Sequence, residues 1–94
     1  MLEEVKEYLR ITWSDDDFLL ARLIERGKKK LEELMGAALD FEDEGLARSL
    51  LFDYVRYAYN NASEYFEENF RFEILRLQLM VGIKEMKADA ETEG

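Results

Sequence analysis

The sequence predicts an all-α fold: a small bundle of about four helices, two of them long, closed by a short, disordered acidic C-terminal tail. Three observations carry this reading. The 94 residues contain no proline and only five glycines, so helix breakers are scarce. Apolar residues recur at three- and four-residue intervals along most of the chain. Charged residues, 37% of the total, fill the positions between them. With 48% hydrophobic residues and 13% aromatics the chain has ample material for a core, and at this length roughly two thirds of the unfolded surface can be buried. One domain over residues 1–86 is expected, followed by a flexible tail at 87–94, whose "KADAETEG" holds no apolar residue larger than alanine.

Taken in order, Leu2, Val5 and Leu9 share one face and predict a short first helix over residues 2–10. "ITWSD" interrupts it with two β-branched residues and a capping signal. Ser14 followed three residues later by Asp17 fits the capping pattern that opens a helix, and Trp13 opposite Phe18 resembles a hydrophobic staple. The second helix has the clearest pattern: Leu20, Leu23, Ile24, Gly27, Leu31, Leu34 and Met35 follow i, i+3, i+4, i+7 spacing, and Gly36 sits where a terminating glycine belongs. "AALDFEDEG" is polar enough for a loop, anchored by Phe41. A third helix starts near Glu44, with Ala47, Leu50, Leu51, Tyr54, Val55 and Ala58 as its stripe and Asn60–Asn61 weakening its end. In "SEYFEENFRFEILRLQLMVGIKEM" Phe66, Phe70, Ile74, Leu77 and Val81 keep helical spacing. Leu75, Leu77, Leu79, Val81 and Ile83 also alternate at period two, as a strand would; length and the glutamates favour a helix.

Composition narrows the chemistry. Without cysteine there is neither a disulfide framework nor a thiolate metal site, and without histidine the commonest general base and metal ligand are both missing. Nothing approaches a membrane span, and the acidic start "MLEEVKEYLR" lacks the order of a signal peptide, so a soluble cytosolic protein is the default expectation. A net charge of −9 opposes wrapping nucleic acid, and the one basic run, Lys28 to Lys30, stands among Glu25, Glu32 and Glu33 as a solvated helix face.

The cluster that most resembles a site is Asp15, Asp16 and Asp17. Consecutive helical residues point about 100° apart, so three in a row cannot converge on one cation. Near a first turn they instead meet the positive end of the helix dipole, at roughly 0.3–1 kcal/mol per charge. Asp40, Glu42, Asp43 and Glu44 are read as a solvated turn. Ser14, Ser49 and Ser63 have no base, and no glycine-rich phosphate loop is present. The expectation is therefore a protein that is not an enzyme and carries no metal or cofactor.

The aromatic block "FDYVRYAYNNASEYFEENFRF" is too rich for one side of two helices. Tyr54 with Phe66 or Phe70 fills the core, leaving Tyr57, Tyr59, Tyr65 and Phe72, mixed with Arg56 and Arg71, as the candidate subunit or partner interface.

These features, in this order, resemble the head–tail connector (adaptor) proteins of tailed bacteriophages, also described as phage DNA-packaging proteins. The similarity rests on "VKEYLRI" before the acidic "DDD" cap, on the long "FLLARLIERGKKKLEEL" helix, on "YVRYAYNN" and on "EILRLQLMVGI". It covers residues 2–84; one departure is Gln78-Leu79-Met80-Val81-Gly82, where the family often has a Gln-Leu-Arg-Gly-like sequence. The resemblance implies a structural subunit of a phage or prophage, forming a homo-oligomeric ring of about twelve copies. Such a ring docks on the portal protein, extends the DNA channel without sequence-specific binding, and receives a tail-completion or stopper protein. It also implies residence in the virion, at the head–tail junction, and in the bacterial host cytoplasm before assembly. An acidic channel lining would repel phosphates and keep friction low. The alternative from the residues alone is a small acidic regulatory or adaptor domain that binds one protein through its aromatic helix face.

Overall fold

The apolar stripe along the second predicted helix, interrupted by a glycine at its centre, sets the architecture. In the computed structural model, which describes the backbone of residues 1–93 and the side chains of residues 1–86, that stripe lies in α2 and faces α3. The order is α1 (Leu2–Leu9), α2 (Asp17–Met35), α3 (Leu46–Tyr59), a 3₁₀ turn (Ser63–Tyr65), α4 (Phe66–Asn69) and α5 (Arg71–Glu93), with no strand among the described residues. The fold is all-α, with α2 and α5 the two long helices at 19 and 23 residues. The tail expected at 87–94 lies outside the residues whose side chains are described.

Helices α2 and α3 form the centre. Leu20, Leu23, Ile24 and Leu31 are buried against Leu50, Leu51, Tyr54 and Val55. At Gly27 the two helices come so close that a Cβ would sit 2.7 Å from Leu51 Cδ1 and from Tyr54 Cδ1. Helix α1 closes one side, with Val5 fully buried. Lys6, almost buried itself, reaches Asp17 Oδ1 at 2.8 Å and ties α1 to the start of α2. Helix α5 closes another side through Ile74 and Leu77, and Gln78 Nε2 donates to the Leu34 carbonyl at 3.1 Å.

Three helices end in the same way, on a residue in the left-handed region. Arg10 (φ 61°) ends α1, Gly36 (φ 66°) ends α2, and Asn61 (φ 58°) closes the turn after α3. After α1 and α3 the paired 6→1 and 5→2 hydrogen bonds of a Schellman motif form: Ile11 N to Lys6 O with Arg10 N to Glu7 O, and Ala62 N to Tyr57 O with Asn61 N to Ala58 O. The terminating role of Gly36 is as the sequence predicts, and Phe41 is buried beneath its loop.

Three expectations need correction. Ser14 and Asp17 do not form the predicted side-chain cap: Asp16 occupies the cap position and no side chain bonds the first helical amides. The reason is competition. Asp16 is drawn to Trp13 and Tyr59, and Asp17 to Lys6, leaving the Ser14 carbonyl to accept from Asp17 N at 3.1 Å. The Trp13–Phe18 staple is not built either, because Phe18 points outward and stays 88% exposed. The fourth segment is also not one helix. It bends at Phe70 (φ −110°, ψ 22°), although Phe70 N still bonds Phe66 O and Ile74 N still bonds Phe70 O, each at 2.9 Å.

Filling the α2–α3 contact should be costly. Gly27→Ala gains helix propensity but forces Leu51 and Tyr54 to shift within a packed core, so we expect a net destabilisation of about 1–3 kcal/mol by urea denaturation. Arg10→Gly should do the reverse. It relieves a left-handed backbone that costs a side-chain-bearing residue about 1 kcal/mol, and the same titration should move its midpoint upward.

Candidate interaction surface

Helix α3 presents Tyr54 and Tyr57 one turn apart, and the Asn60–Ala62 turn sends the chain back across them. Helix α4 then lays Phe66 and Phe70 over those rings. Phe66 meets Tyr54 edge-on at 5.4 Å and stacks on Phe70 at 5.2 Å, while Tyr57 meets Phe70 edge-on at 5.4 Å. The Tyr57 hydroxyl accepts from Asn69 Nδ2 at 2.9 Å. This geometry suits the aromatic quadrupole and makes the cluster part of the core. Arg56 sits 5.0 Å above the Tyr57 ring and pairs with Asp53 Oδ1 at 3.3 Å. The same carboxylate oxygen accepts from Tyr8 of α1 at 2.5 Å, which raises the Tyr8 pKa.

Tyr59 points the other way along α3. Its hydroxyl donates to Asp16 Oδ2 at 2.5 Å, beside the Trp13 Nε1 donor at 2.9 Å. These hydrogen bonds, from Trp13 first and Tyr59 second, hold the Asp16 carboxyl below its usual range. The tyrosine pKa rises in turn, chiefly through its bond to Asp16. The triplet Asp15–Asp17 thus diverges: Asp16 braces α3, and Asp17 braces α1. In the acidic loop Asp40 Oδ1 accepts from the Glu42 and Asp43 amides, and Glu32 Oε2 from the Leu39 amide. Among the described residues no group of three or more His, Cys, Asp or Glu is placed to hold a metal ion.

The six residues predicted as one interface are therefore divided. Arg56, Tyr57 and Tyr59 make contacts within the chain: the turn after α3 folds α4 back over Tyr57, Arg56 lies over the Tyr57 ring, and Tyr59 reaches Asp16. Tyr65, Arg71 and Phe72 face outward, with Tyr65 54% and Phe72 72% exposed and the Arg71 guanidinium 5.5 Å from the Phe72 ring.

Sequence reasoning missed the continuation of that outward surface. Leu75, Leu79, Ile83 and Met86 extend from Phe72 along α5, each at least half exposed. The signal was the period-two alternation over residues 75–83. At 3.6 residues per turn, alternate residues lie about 200° apart, so an alternating run wound as a helix has two apolar faces. One carries Leu77 and Val81 inward, next to Ile74; the other carries Leu75, Leu79 and Ile83 out. A second exposed apolar group, Trp13, Phe18 and Leu19, stands at the start of α2.

The phage gp6-like head-tail connector family model matches residues 1–86, which takes in α1 through the described part of α5. The chain belongs to this family. No curated protein and no solved structure gave a match. A head–tail connector is a structural component of a phage, not an enzyme family, and its work is done by surfaces. Both the exposed face of α5 and the start of α2 lie within the matched span. No helix among the described residues is long and apolar enough to cross a membrane.

The two kinds of tyrosine should separate by stability. Tyr57→Ala, which empties the ring cluster, is expected to cost about 2–4 kcal/mol, whereas exposed Tyr65→Ala should cost less than about 1 kcal/mol in the same denaturant titration. The Asp16 brace predicts a pH effect of known sign. The folded-state pKa lies below the unfolded value of 3.8, so the brace contributes above that value and its contribution is lost as pH falls through the folded pKa. The melting-temperature gap between wild type and Asp16→Asn should be constant near neutral pH and close in acid; a gap that widens in acid would contradict the brace.

Proposed function

We propose that the chain is the repeating subunit of a head–tail connector ring in a phage or prophage. Copies assemble on the portal protein at the capsid vertex, continue the channel through which DNA passes, and present the docking surface for a tail-completion or stopper protein. The protein waits in the bacterial cytoplasm and ends in the virion at the head–tail junction. The observation that carries this reading is the family match over residues 1–86.

The physical properties of the chain are in keeping with that role. Its carboxylates brace helices rather than converge, as at Asp16, Asp17 and Asp53. Its net charge of −9 gives a wall that does not grip duplex DNA, since phosphates are repelled by carboxylates and there is no counterion release to gain. Most of its large exposed apolar residues lie along one helix face and one helix start, where subunit contacts are expected. The interface role predicted for Tyr65, Arg71 and Phe72 belongs to this proposal.

Loss of the gene should leave heads that package DNA but carry no tails, and purified wild-type protein added to such heads should restore tail attachment and plaque formation. Normal tailed particles in the absence of the gene would overturn the connector reading. So would a gene position within a metabolic operon, away from capsid and tail-completion genes.

A further inference from the structure

The outward face of α5 is a continuous seam. Phe72, Leu75, Leu79, Ile83 and Met86 succeed one another at three- and four-residue steps, as in the contact line of a coiled coil, and their exposures run from 50% to 72%. Nothing else in the described chain covers it, because the opposite face already packs on the core through Ile74 and Leu77. Apolar patches of this continuity on a small domain mark contacts with another molecule.

We propose, resting on the connector reading above, that the next copy of this chain docks on this seam, and that the part which docks is its own Trp13–Leu19 corner. A ring contact is heterologous, so each subunit must carry two different surfaces that fit one another. The described residues offer two such groups. The seam is an exposed apolar row along α5, and the corner presents Phe18, 88% exposed, with Trp13 and Leu19 each 46% exposed.

Charge favours the same pairing. A chain of net charge −9 repels its own copies over most of its surface. The seam is bordered by Arg71 and Arg76 as well as by Glu68, none of which makes an ion pair among the described residues, so the two arginines are open to the corner's Asp15, equally without one. A different seat is available in a groove of about 470 Å³ between the loop after α2 and α5, floored by Leu39, Leu46, Leu77 and Val81. Its rim holds Asp40, Asp43 and Glu85 against one cation, Lys84, a net negative balance that would oppose the aspartates of the corner.

Two single substitutions at exposed sites separate the surfaces. Phe18→Asp disrupts the corner, and Leu79→Asp spoils the seam; circular dichroism should show both folded. Wild-type protein should self-associate with rising concentration in sedimentation velocity, or shift the amide resonances of both patches in ¹⁵N NMR up to the millimolar range. Each variant alone should remain monomeric. Their equimolar mixture should form a one-to-one dimer and nothing larger, since it retains one intact corner and one intact seam. If Phe18→Asp associates as wild type does, the seam pairs with itself or with another site and the proposal fails. It fails also if wild-type protein shows no shift at either patch. Restoration of tails to gene-deficient heads is read separately. Wild type that restores tails while the variant mixture stays monomeric sinks this docking surface and leaves the connector role standing. A one-to-one dimer without any tail defect supports the contact and sinks the role.

Discussion

The rest of the molecule depends on how closely α2 and α3 approach at Gly27. The missing side chain lets Leu51 and Tyr54 lie directly on the α2 backbone. Tyr54 is thereby held at a depth where Phe66 meets its ring edge-on. From Phe66 the stack passes to Phe70 and Tyr57, so the position of α4, and of the bend from which α5 departs, follows from one interhelical distance. A larger residue at position 27 would shift the tyrosine that supports this stack. The effect would be felt at the start of α5, far along the sequence from the substitution.

The carboxylates make a second tier of constraint. A chain with 22 acidic and 13 basic residues would be expected to spend its acids on solvation, and many are exposed. Those that matter to the fold are the ones that reach another helix. Asp16 takes two donors and joins the start of α2 to the end of α3; Asp17 joins it to α1; Asp53 ties α3 to Tyr8 of α1; Glu67 pairs with Lys30 at 2.6 Å and pins α4 to α2. Exposed pairs of this kind contribute little individually. Their value lies in orientation: α1 is only eight residues long and has a single fully buried residue, Val5, so its polar ties help to fix how it lies.

Much of this was legible in the sequence, and the parts that were not share a cause. The α2 stripe, the Gly36 terminator and the Phe41 anchor are local patterns with one physical solution each, and they appear as read. The cap of α2 could not be read, because Ser14, Asp16 and Asp17 all have the right chemistry and the choice among them is made by Tyr59 and Lys6, remote in sequence. Nor could the sidedness of the aromatic block. Tyr57 and Tyr65 look alike in one dimension, and only the turn at Asn60–Ala62 decides which lies beneath α4. The alternation in α5 is visible in the sequence, but what it encodes is a helix with two apolar faces, which a contrast of helix with strand does not reveal.

That two-faced helix is the point at which stability and assembly make different demands on the same residues. Stability needs only the inward row: Ile74 and Leu77 are buried and Val81 partly so. The outward row from Phe72 to Met86, each residue at least half exposed, adds little to the isolated fold and exposes it to non-specific association. Substituting those positions with glutamate or lysine would leave the core contacts untouched, so their apolar character is not explained by folding. Net charge restrains the association that the row invites, because like-charged copies repel one another on close approach while the apolar contact acts only when two surfaces meet in register. A subunit built this way can remain dispersed until local concentration is raised and a template aligns the copies. Salt screens the repulsion between surfaces more than roughly 8–10 Å apart, and a template that holds subunits side by side supplies the local concentration at which apolar burial outweighs the repulsion that remains at contact. On this argument the acidic surface and the apolar row of α5 are two parts of one device, and neither is intelligible from the isolated chain.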